Sequence, residues 1–279
     1  MLDIILDSVL DTVKLIPFLL LTYIFMEYLE HRASAATTRM VRRAGKWGPA
    51  IGALVGAVPQ CGFSSAAAGL YAGRVITMGT LIAIMLSTSD EMLPILISAQ
   101  ASPILILEIL GIKILLGACM GFVIDVIFRG KEEEHEHIHE ICEHDHCHCE
   151  EGIIKSAVLH TLQIAAFILV INFVLNLVLE RVGTEALSQW IWHKPVIGQL
   201  LSGALGLIPN CASSVAITQL YLEGAMSFGA MMSGLLVNSG VGLLVLCRVN
   251  RHKGENLKII ALLYGIGVAA GILIGLLPL

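Results

Sequence analysis

Long apolar runs dominate this chain and restrict how it can fold. Three of them cover residues 10–28, 104–128 and 153–179, and each can cross the ~30 Å hydrocarbon layer of a membrane as a helix. Only 14% of the 279 residues are charged, well below the share in soluble domains. Most runs lack the polar stripe that a surface helix of a soluble protein carries. The sequence therefore predicts an all-α, polytopic membrane protein.

The chain repeats itself at an offset of 150 residues. Shifted by that amount, Val58–Ala66 (VPQCGFSSA) aligns with Ile208–Ala216 (IPNCASSVA), and the alignment continues without a gap. Chance aligns scattered leucines and glycines, but it rarely aligns a Pro-polar-Cys-x-x-Ser core. We therefore predict a duplication, with residues 1–129 and 151–279 as the two membrane repeats and residues 130–150 as the linker.

Each half is expected to contain five apolar pieces, which in the first half lie near 9–30, 48–58, 62–73, 76–100 and 103–128. The second and third pieces are too short to span a membrane alone, and a proline-containing break separates them. The fourth is interrupted by Ser-Thr-Ser-Asp-Glu at residues 87–91. Matching interrupted segments in two halves are the best sequence pointer to the binding site of a transporter.

Basic residues in short loops predict the orientation. Residues 31–46 carry five Lys or Arg, whereas the equivalent 181–196 carry two, offset by Glu185; residues 98–103 carry no charge, whereas the equivalent 248–258 carry four basic residues. This opposite bias predicts inverted repeats with proline-broken, re-entrant helices, although parallel repeats with four crossings each fit nearly as well. We expect a multi-pass inner (cytoplasmic) membrane protein with a cytoplasmic linker. The acidic start of the chain predicts that the first run is not a cleaved signal peptide.

The first candidate substrate site lies at the two proline breaks. Irregular backbone at membrane depth occurs only where it is buried in protein or lines a wet cavity. Thiol, amide and hydroxyl groups provide a soft-to-intermediate ligand set, and two such sets meeting at a pseudo-twofold axis would form one site. The alternative is a plain kink, with cysteines packed as small apolar residues. The candidate residues are Gln60, Cys61, Ser64, Ser65, Asn210, Cys211, Ser213 and Ser214.

The second candidate site is the polar interruption Ser89, Asp90 and Glu91, opposite Asn238 and Ser239 in the other half. Adjacent carboxylates in an apolar segment are costly and indicate function by default. They suit a divalent cation, a proton-coupling step, or both. The alternative is contact with headgroup water at a membrane interface. The candidate metal ligands within the membrane are thus Asp90, Glu91, Cys61 and Cys211.

The linker is rich in metal ligands. Six imidazoles, three thiols and many carboxylates within ~15 residues bind divalent metals under almost any geometry. Imidazole and thiolate favour zinc, nickel, copper or cobalt over manganese. Because the linker lies outside the apolar runs, we expect it to collect or sense metal; a solvated acidic linker is the alternative. Its candidate ligands are His135, His137, His139, Cys142, His144, His146, Cys147, His148 and Cys149.

These motifs carry a resemblance to a known family. In the repeated Pro-Gln-Cys-Gly-Phe-Ser and Pro-Asn-Cys-Ala-Ser-Ser, the Leu-Tyr pairs, Ser-Thr-Ser-Asp-Glu and the His-rich linker, the chain resembles the ten-segment heavy-metal exporters. Members of that family are labelled arsenic efflux proteins or manganese transporters. The resemblance covers essentially the whole chain. It implies metal efflux, and it leaves manganese, other divalent metals and arsenicals as candidates.

We therefore expect a secondary-active transporter, not an enzyme, that exports divalent heavy-metal ions such as manganese and is coupled to protons. The chain contains no Gly-rich phosphate loop. The expected partners are the transported metal ion and membrane lipid, without nucleic acid or a cofactor, and both a monomer and a homodimer stay open. Two alternatives remain: a membrane thiol–disulfide oxidoreductase that uses Cys61 and Cys211, and a permease for arsenicals or small oxyanions.

Overall fold

The computed structural model describes residues 44–59, 61–128, 196–209 and 211–276, and single positions between 13 and 41 and between 158 and 173. All regular structure in these residues is helical, which confirms the all-α prediction. A short 3-10 turn, Gly45–Trp47, precedes the first α-helix. The α-helices in these residues are α1 (Gly48–Gly56), α2 (Cys61–Ala72), α3 (Met78–Ser87), α4 (Met92–Ser98), α5 (Pro103–Phe128), α6 (Ile197–Gly206), α7 (Cys211–Leu222), α8 (Phe228–Val237), α9 (Gly242–Val249) and α10 (Lys253–Leu276).

Both halves contain the same succession of helices. α2 and α7 begin at Cys61 and Cys211, and α3 and α8 begin at Met78 and Phe228, so the offset of 150 residues holds for both pairs. The breaks lie where the sequence predicts them, before α2 and α7 and between the paired helices α3–α4 and α8–α9. The ends of the two repeats at residues 129 and 151 lie outside the described residues, so the domain limits stay a prediction.

Four helical segments in the described residues are long and apolar enough to cross a membrane. Two are the unbroken helices α5 and α10, and two are the interrupted pairs α3–α4 and α8–α9. The interrupted pairs are largely buried, whereas α5 and α10 turn apolar side chains such as Ile104, Leu107 and Leu273 outward. We infer that α5 and α10 face lipid and shield the helix breaks, because unpaired backbone groups cannot face hydrocarbon.

Glycines bring the long helices into backbone contact with the interrupted ones. A β-carbon at Gly79 would lie 2.1 Å from the Gly121 carbonyl oxygen, and a β-carbon at Gly229 would lie 2.6 Å from the Gly271 carbonyl oxygen. Any larger residue would therefore push α3 away from α5, or α8 away from α10. Small residues at helix interfaces permit this close approach. Close packing matters in a membrane because no hydrophobic driving force brings helices together there.

The start of α10 lies beside the end of α5. The Lys258 ammonium is 3.3 Å from the centre of the Phe128 ring. α5 has 26 residues and is therefore ~39 Å long. If α5 and α10 ran in the same direction, Lys258 would be several helical turns away from Phe128. The start of α10 and the end of α5 thus lie on the same side, as inverted repeats would place them, and the inversion itself stays a prediction.

A polar cluster joins the two halves on this same side. Arg74, just before α3, forms an ion pair with Glu255 of α10 at 3.0 Å, and the Tyr71 hydroxyl donates to Glu255 at 3.3 Å. The hydrogen bond to Glu255 raises the pKa of the Arg74 guanidinium, which therefore stays charged. Lys253 and Lys258 lie nearby on α10. Basic residues of both halves thus gather on one side of the described helices.

Equivalent hydroxyls cap α3 and α8. The Thr77 hydroxyl accepts from the Thr80 N–H at 3.1 Å, and the Ser227 hydroxyl accepts from the Ala230 N–H at 3.3 Å. Thr77 also donates to Asp125 at 2.8 Å. We expect Ser227→Ala to lower the free energy of unfolding by about 1 kcal/mol. Thr77→Ala should lower it by about 2 kcal/mol, because the half-buried Asp125 carboxylate also loses a donor.

Denaturant unfolding of the purified protein in mixed micelles measures both losses. Thr77→Ser keeps the hydroxyl and is the control, for which we expect a change under about 0.5 kcal/mol. Equal losses for the Ser227 and Thr77 variants would show that the bond to Asp125 contributes nothing.

Candidate substrate site between the two helix breaks

The first helix break places two carboxylates inside the protein. At the end of α3 the hydroxyls of Ser87 and Thr88 donate to the Ile84 carbonyl at 3.0 and 2.8 Å, and the same carbonyl accepts from the Thr88 N–H at 2.9 Å. The chain then turns, and the side chains of Asp90 and Glu91 are only 1% and 2% exposed. This burial argues against the alternative in which they contact headgroup water.

An amide holds the second break, between α8 and α9. The Asn238 Oδ1 atom accepts from the Gly240 N–H at 3.2 Å and from the Ser213 hydroxyl at 3.1 Å. Gly240 has φ +55°, a left-handed conformation that other residues rarely adopt. Because Ser213 lies on α7, Asn238 connects the two broken segments of the second half. The predicted residues Asn238 and Ser213 are thus brought together.

The two breaks touch at equivalent positions. A β-carbon at Gly240 would lie 2.1 Å from Asp90 Oδ2, so the carboxylate stands against the backbone of the opposite half. Asp90 and Gly240 are 150 residues apart and therefore correspond to each other in the repeat. Two equivalent positions can touch only close to the axis that relates the halves. Asp90 thus lies close to any twofold axis that relates the halves, and the prediction that a single site forms on this axis stays a prediction.

Asp90 has no hydrogen-bond partner for either oxygen among the described residues, and the buried Ser239 hydroxyl has none there either. Nearly all buried polar atoms in proteins are paired, and an unpaired buried carboxylate carries a large desolvation cost. An unpaired buried carboxylate, set against the break that carries an unpaired hydroxyl, is therefore expected where an ion or a proton binds.

Lys113 is a third buried ionisable residue near this contact, and the sequence analysis missed it. It is 1% exposed, and its ammonium donates to the carbonyl of Leu235 in the other half. A sequence signal was present, because a lysine inside the apolar run 104–128 is costly without a role. The sequence did not show which face of α5 carries it.

The predicted serines have different surroundings. Ser64, on the first turn of α2, packs against the second break: a β-carbon at Gly242 would lie 2.8 Å from Ser64 Cβ. The Ser89 hydroxyl donates to the Ala57 carbonyl at 2.6 Å and so ties the first break to the end of α1. The remaining two, Ser65 and Ser214, are half-buried and buried, respectively.

Several predicted ligands lie outside the described residues: Gln60, Asn210, the side chains of Cys61 and Cys211, and the whole linker 130–150. The predicted meeting of the two thiols therefore stays a prediction. The backbone of Cys61 belongs to the same helical turn as Ser64, which packs on the second break. In the part of the chain that the structure describes, no group of three or more His, Cys, Asp or Glu side chains could hold a metal ion.

The first 180 residues match a known protein family, described as "Putative, 10TM heavy-metal exporter". The matched part, residues 1–180, includes the first helix break, Asp90 and Lys113. No curated protein and no solved structure matches the chain. The family indicates a class of function for the chain. The buried contact between the two helix breaks is the candidate site for that function.

Proposed function

Because the chain belongs to this family of heavy-metal exporters, we propose that it is a secondary-active transporter in the inner membrane that exports a divalent transition metal, manganese or a similar ion, in exchange for protons. One observation carries the proposal: Asp90, buried and unpaired among the described residues, stands where the two helix breaks meet. Secondary transporters commonly bind ions where discontinuous helices of two repeats meet near the bilayer midplane.

The groups around Asp90 suit a cation of intermediate hardness. Carboxylate, carbonyl and hydroxyl oxygens favour manganese, magnesium or calcium, whereas thiolates favour softer metals. Asp90 and the Ser239 hydroxyl supply oxygens with capacity for a ligand. The predicted thiols of Cys61 and Cys211 would add soft ligands and extend the range toward zinc and cobalt. Manganese fits the oxygen donors and tolerates the thiols.

Proton exchange follows from the charge of the site. Asp90 and Glu91 are both buried, so an empty site with two carboxylates is costly to move through the membrane. A proton taken up by either carboxylate weakens metal binding and releases the ion on the outer side. The proton replaces part of the charge of the departing dication, and the repeats can return to face the cytoplasm.

A flux assay on purified protein in liposomes tests the proposal. With a Mn²⁺ gradient across the membrane, we expect Mn²⁺ to move in one direction and protons to move in the other, as reported by a trapped pH dye. An imposed pH gradient should accelerate the Mn²⁺ flux, and a proton ionophore should remove that acceleration. Protein-free liposomes are the control. Absence of flux for Mn²⁺, Co²⁺ and Zn²⁺ alike would contradict metal transport, and flux without proton movement would contradict the coupling.

The two alternative functions give different results in the same preparation. A thiol–disulfide oxidoreductase requires a disulfide between Cys61 and Cys211 that turns over with an external dithiol. A permease for arsenicals or oxyanions would move arsenite or an oxyanion and would not depend on Asp90. The unpaired carboxylate opposes the binding of an anion, so the described part of the site favours the cation.

A further inference from the structure

The position of Lys113 follows from the face of α5 that packs on α3. Gly121 lies against Gly79 at the start of α3, and Gly117 lies against Ser87 at its end. α3 and α5 therefore run in opposite directions along this contact. The next residue on the same face, four positions earlier on α5, is Lys113. It falls beyond Ser87, at the level of the first helix break.

Lys113 is not required there for packing. Its equivalent in the second half, 150 residues later, is Leu263, which is fully buried on the corresponding face of α10. The fold thus accepts an apolar side chain at this position. Lys113 instead places an ammonium in the interior, where it donates to the Leu235 carbonyl and makes no direct ion pair with a described residue. An ammonium has three donors, so this bond leaves capacity for other partners.

The carboxylate at this level is Asp90, which lies in the first helix break just beyond Ser87. No hydrogen bond joins Lys113 and Asp90 in the described residues. One is a fixed anion without a partner, and the other is a cation held on a long flexible chain by a single carbonyl. This is the arrangement expected when an exchangeable cation competes with the ammonium for the carboxylate.

Resting on the function proposed above, we propose that Lys113 is a tethered counter-cation. The ammonium neutralises the charge of Asp90 while the site is empty. When the transported dication binds, it neutralises Asp90 instead and is repelled by the ammonium. Lys113 is thus a positioning residue that lowers the affinity of the site for metal and lets the metal leave.

Electrostatics gives the direction of the effect. Lys113 balances the buried charge of Asp90 in the empty site, so this pair can change conformation without an unbalanced charge. A dication at Asp90 is repelled by Lys113, and the repulsion is strong because the effective dielectric constant inside a protein is far below that of water. Removing the ammonium should therefore tighten metal binding and slow metal release.

Mn²⁺ binding to the full-length protein in detergent, combined with Mn²⁺ flux in liposomes, tests this role. Lys113→Gln removes the charge and keeps an amide donor for the Leu235 carbonyl; we expect its Kd for Mn²⁺ to fall at least about tenfold and its maximal flux to fall. Lys113→Arg keeps the charge and should stay within about threefold of wild type in Kd. Lys253→Gln, which removes an exposed lysine, is the matched control and should change neither quantity.

The outcomes separate this inference from the proposed function. If Asp90→Asn abolishes binding but Lys113→Gln leaves the Kd unchanged or raises it, Lys113 is structural and the inference is wrong, while metal transport stands. If Asp90→Asn leaves binding unchanged, the proposed function fails as well. If Lys113→Gln does not fold, the double variant with Asp90→Asn decides. Balanced charges predict that removing both restores folding, and a double variant that also fails to fold overturns the inference.

Discussion

Replacing Asp90 with asparagine is expected to stop metal efflux and to leave the protein folded. The amide has the shape of the carboxylate without its charge, and neither Asp90 oxygen accepts a hydrogen bond from a described residue that the change would break. We expect the free energy of unfolding to change by less than about 2 kcal/mol. Flux should fall at least about 100-fold, the upper end of the loss seen when only an outer-shell partner of a metal ligand is removed.

Asp125→Asn is the matched control for this prediction. Asp125 is also a carboxylate within a membrane helix, but it accepts hydrogen bonds from the Thr77 hydroxyl and the Gly79 N–H, both at 2.8 Å. An amide can keep only part of this pairing, so we expect a loss of about 1–2 kcal/mol in stability. The flux per folded molecule should stay near that of wild type.

Both quantities come from one preparation. Mn²⁺ flux in liposomes, divided by the amount of folded protein, gives the activity, and denaturant unfolding in mixed micelles gives the stability. Asp90 as a transport ligand and Asp125 as a helix cap predict opposite patterns in these two measurements. Flux near wild type for Asp90→Asn, or an equal loss of flux in both variants, would contradict the assignment of the site.

The helix breaks could be predicted from the sequence because their causes are local. Pro59 and Pro209 exclude a continuous helix at the positions where they stand. The polar run at residues 87–91 interrupts an apolar segment, and the structure ends α3 and begins α4 around it. The duplication strengthened both predictions, since each break occurs twice at the same offset. The first apolar piece, near 9–30, lies largely outside the described residues.

The composition of the site could not be predicted in the same way. In the sequence, Gly240 is simply a position without a carboxylate. In the structure, the Asp90 carboxylate of the other half occupies the place where a side chain at position 240 would begin. Lys113 joins the site because Gly121 and Gly117 bring one face of α5 against α3. Such contacts depend on which helix faces meet across the fold, and no local pattern contains that information.

The contact between equivalent positions explains why the halves differ in charge. Asp90 and Gly240 correspond to each other and also touch, so a carboxylate at both positions would place two like charges side by side in a buried site. Such a pair cannot both ionise. The pairing of Asp90 with Gly240 avoids this repulsion. The first half also carries Lys113. The second half carries Leu263 at the equivalent position, and its Gly240 backbone lies against Asp90.

Replacing Gly240 with alanine is expected to disable the transporter by moving Asp90. The new β-carbon would lie 2.1 Å from Asp90 Oδ2, and the backbone has φ +55°. The left-handed conformation alone costs about 1–2 kcal/mol for a residue other than glycine. The displaced carboxylate adds to that cost, because its buried surroundings leave it little room. We expect flux to fall at least as far as in Asp90→Asn and the stability to fall by more than about 2 kcal/mol.

A double-variant comparison separates the clash from the backbone strain. In an Asp90→Ala background no carboxylate opposes the new β-carbon, so Gly240→Ala should cost only the backbone part there, and the difference measures the contact between the two halves. Gly254→Ala, at a helical glycine whose β-carbon would meet nothing within 4 Å, is the control and should be neutral or stabilising. If Gly240→Ala costs the same with and without Asp90, the two residues do not touch. The site would then not lie where one half meets its own counterpart, and the charge asymmetry between the halves would need another cause.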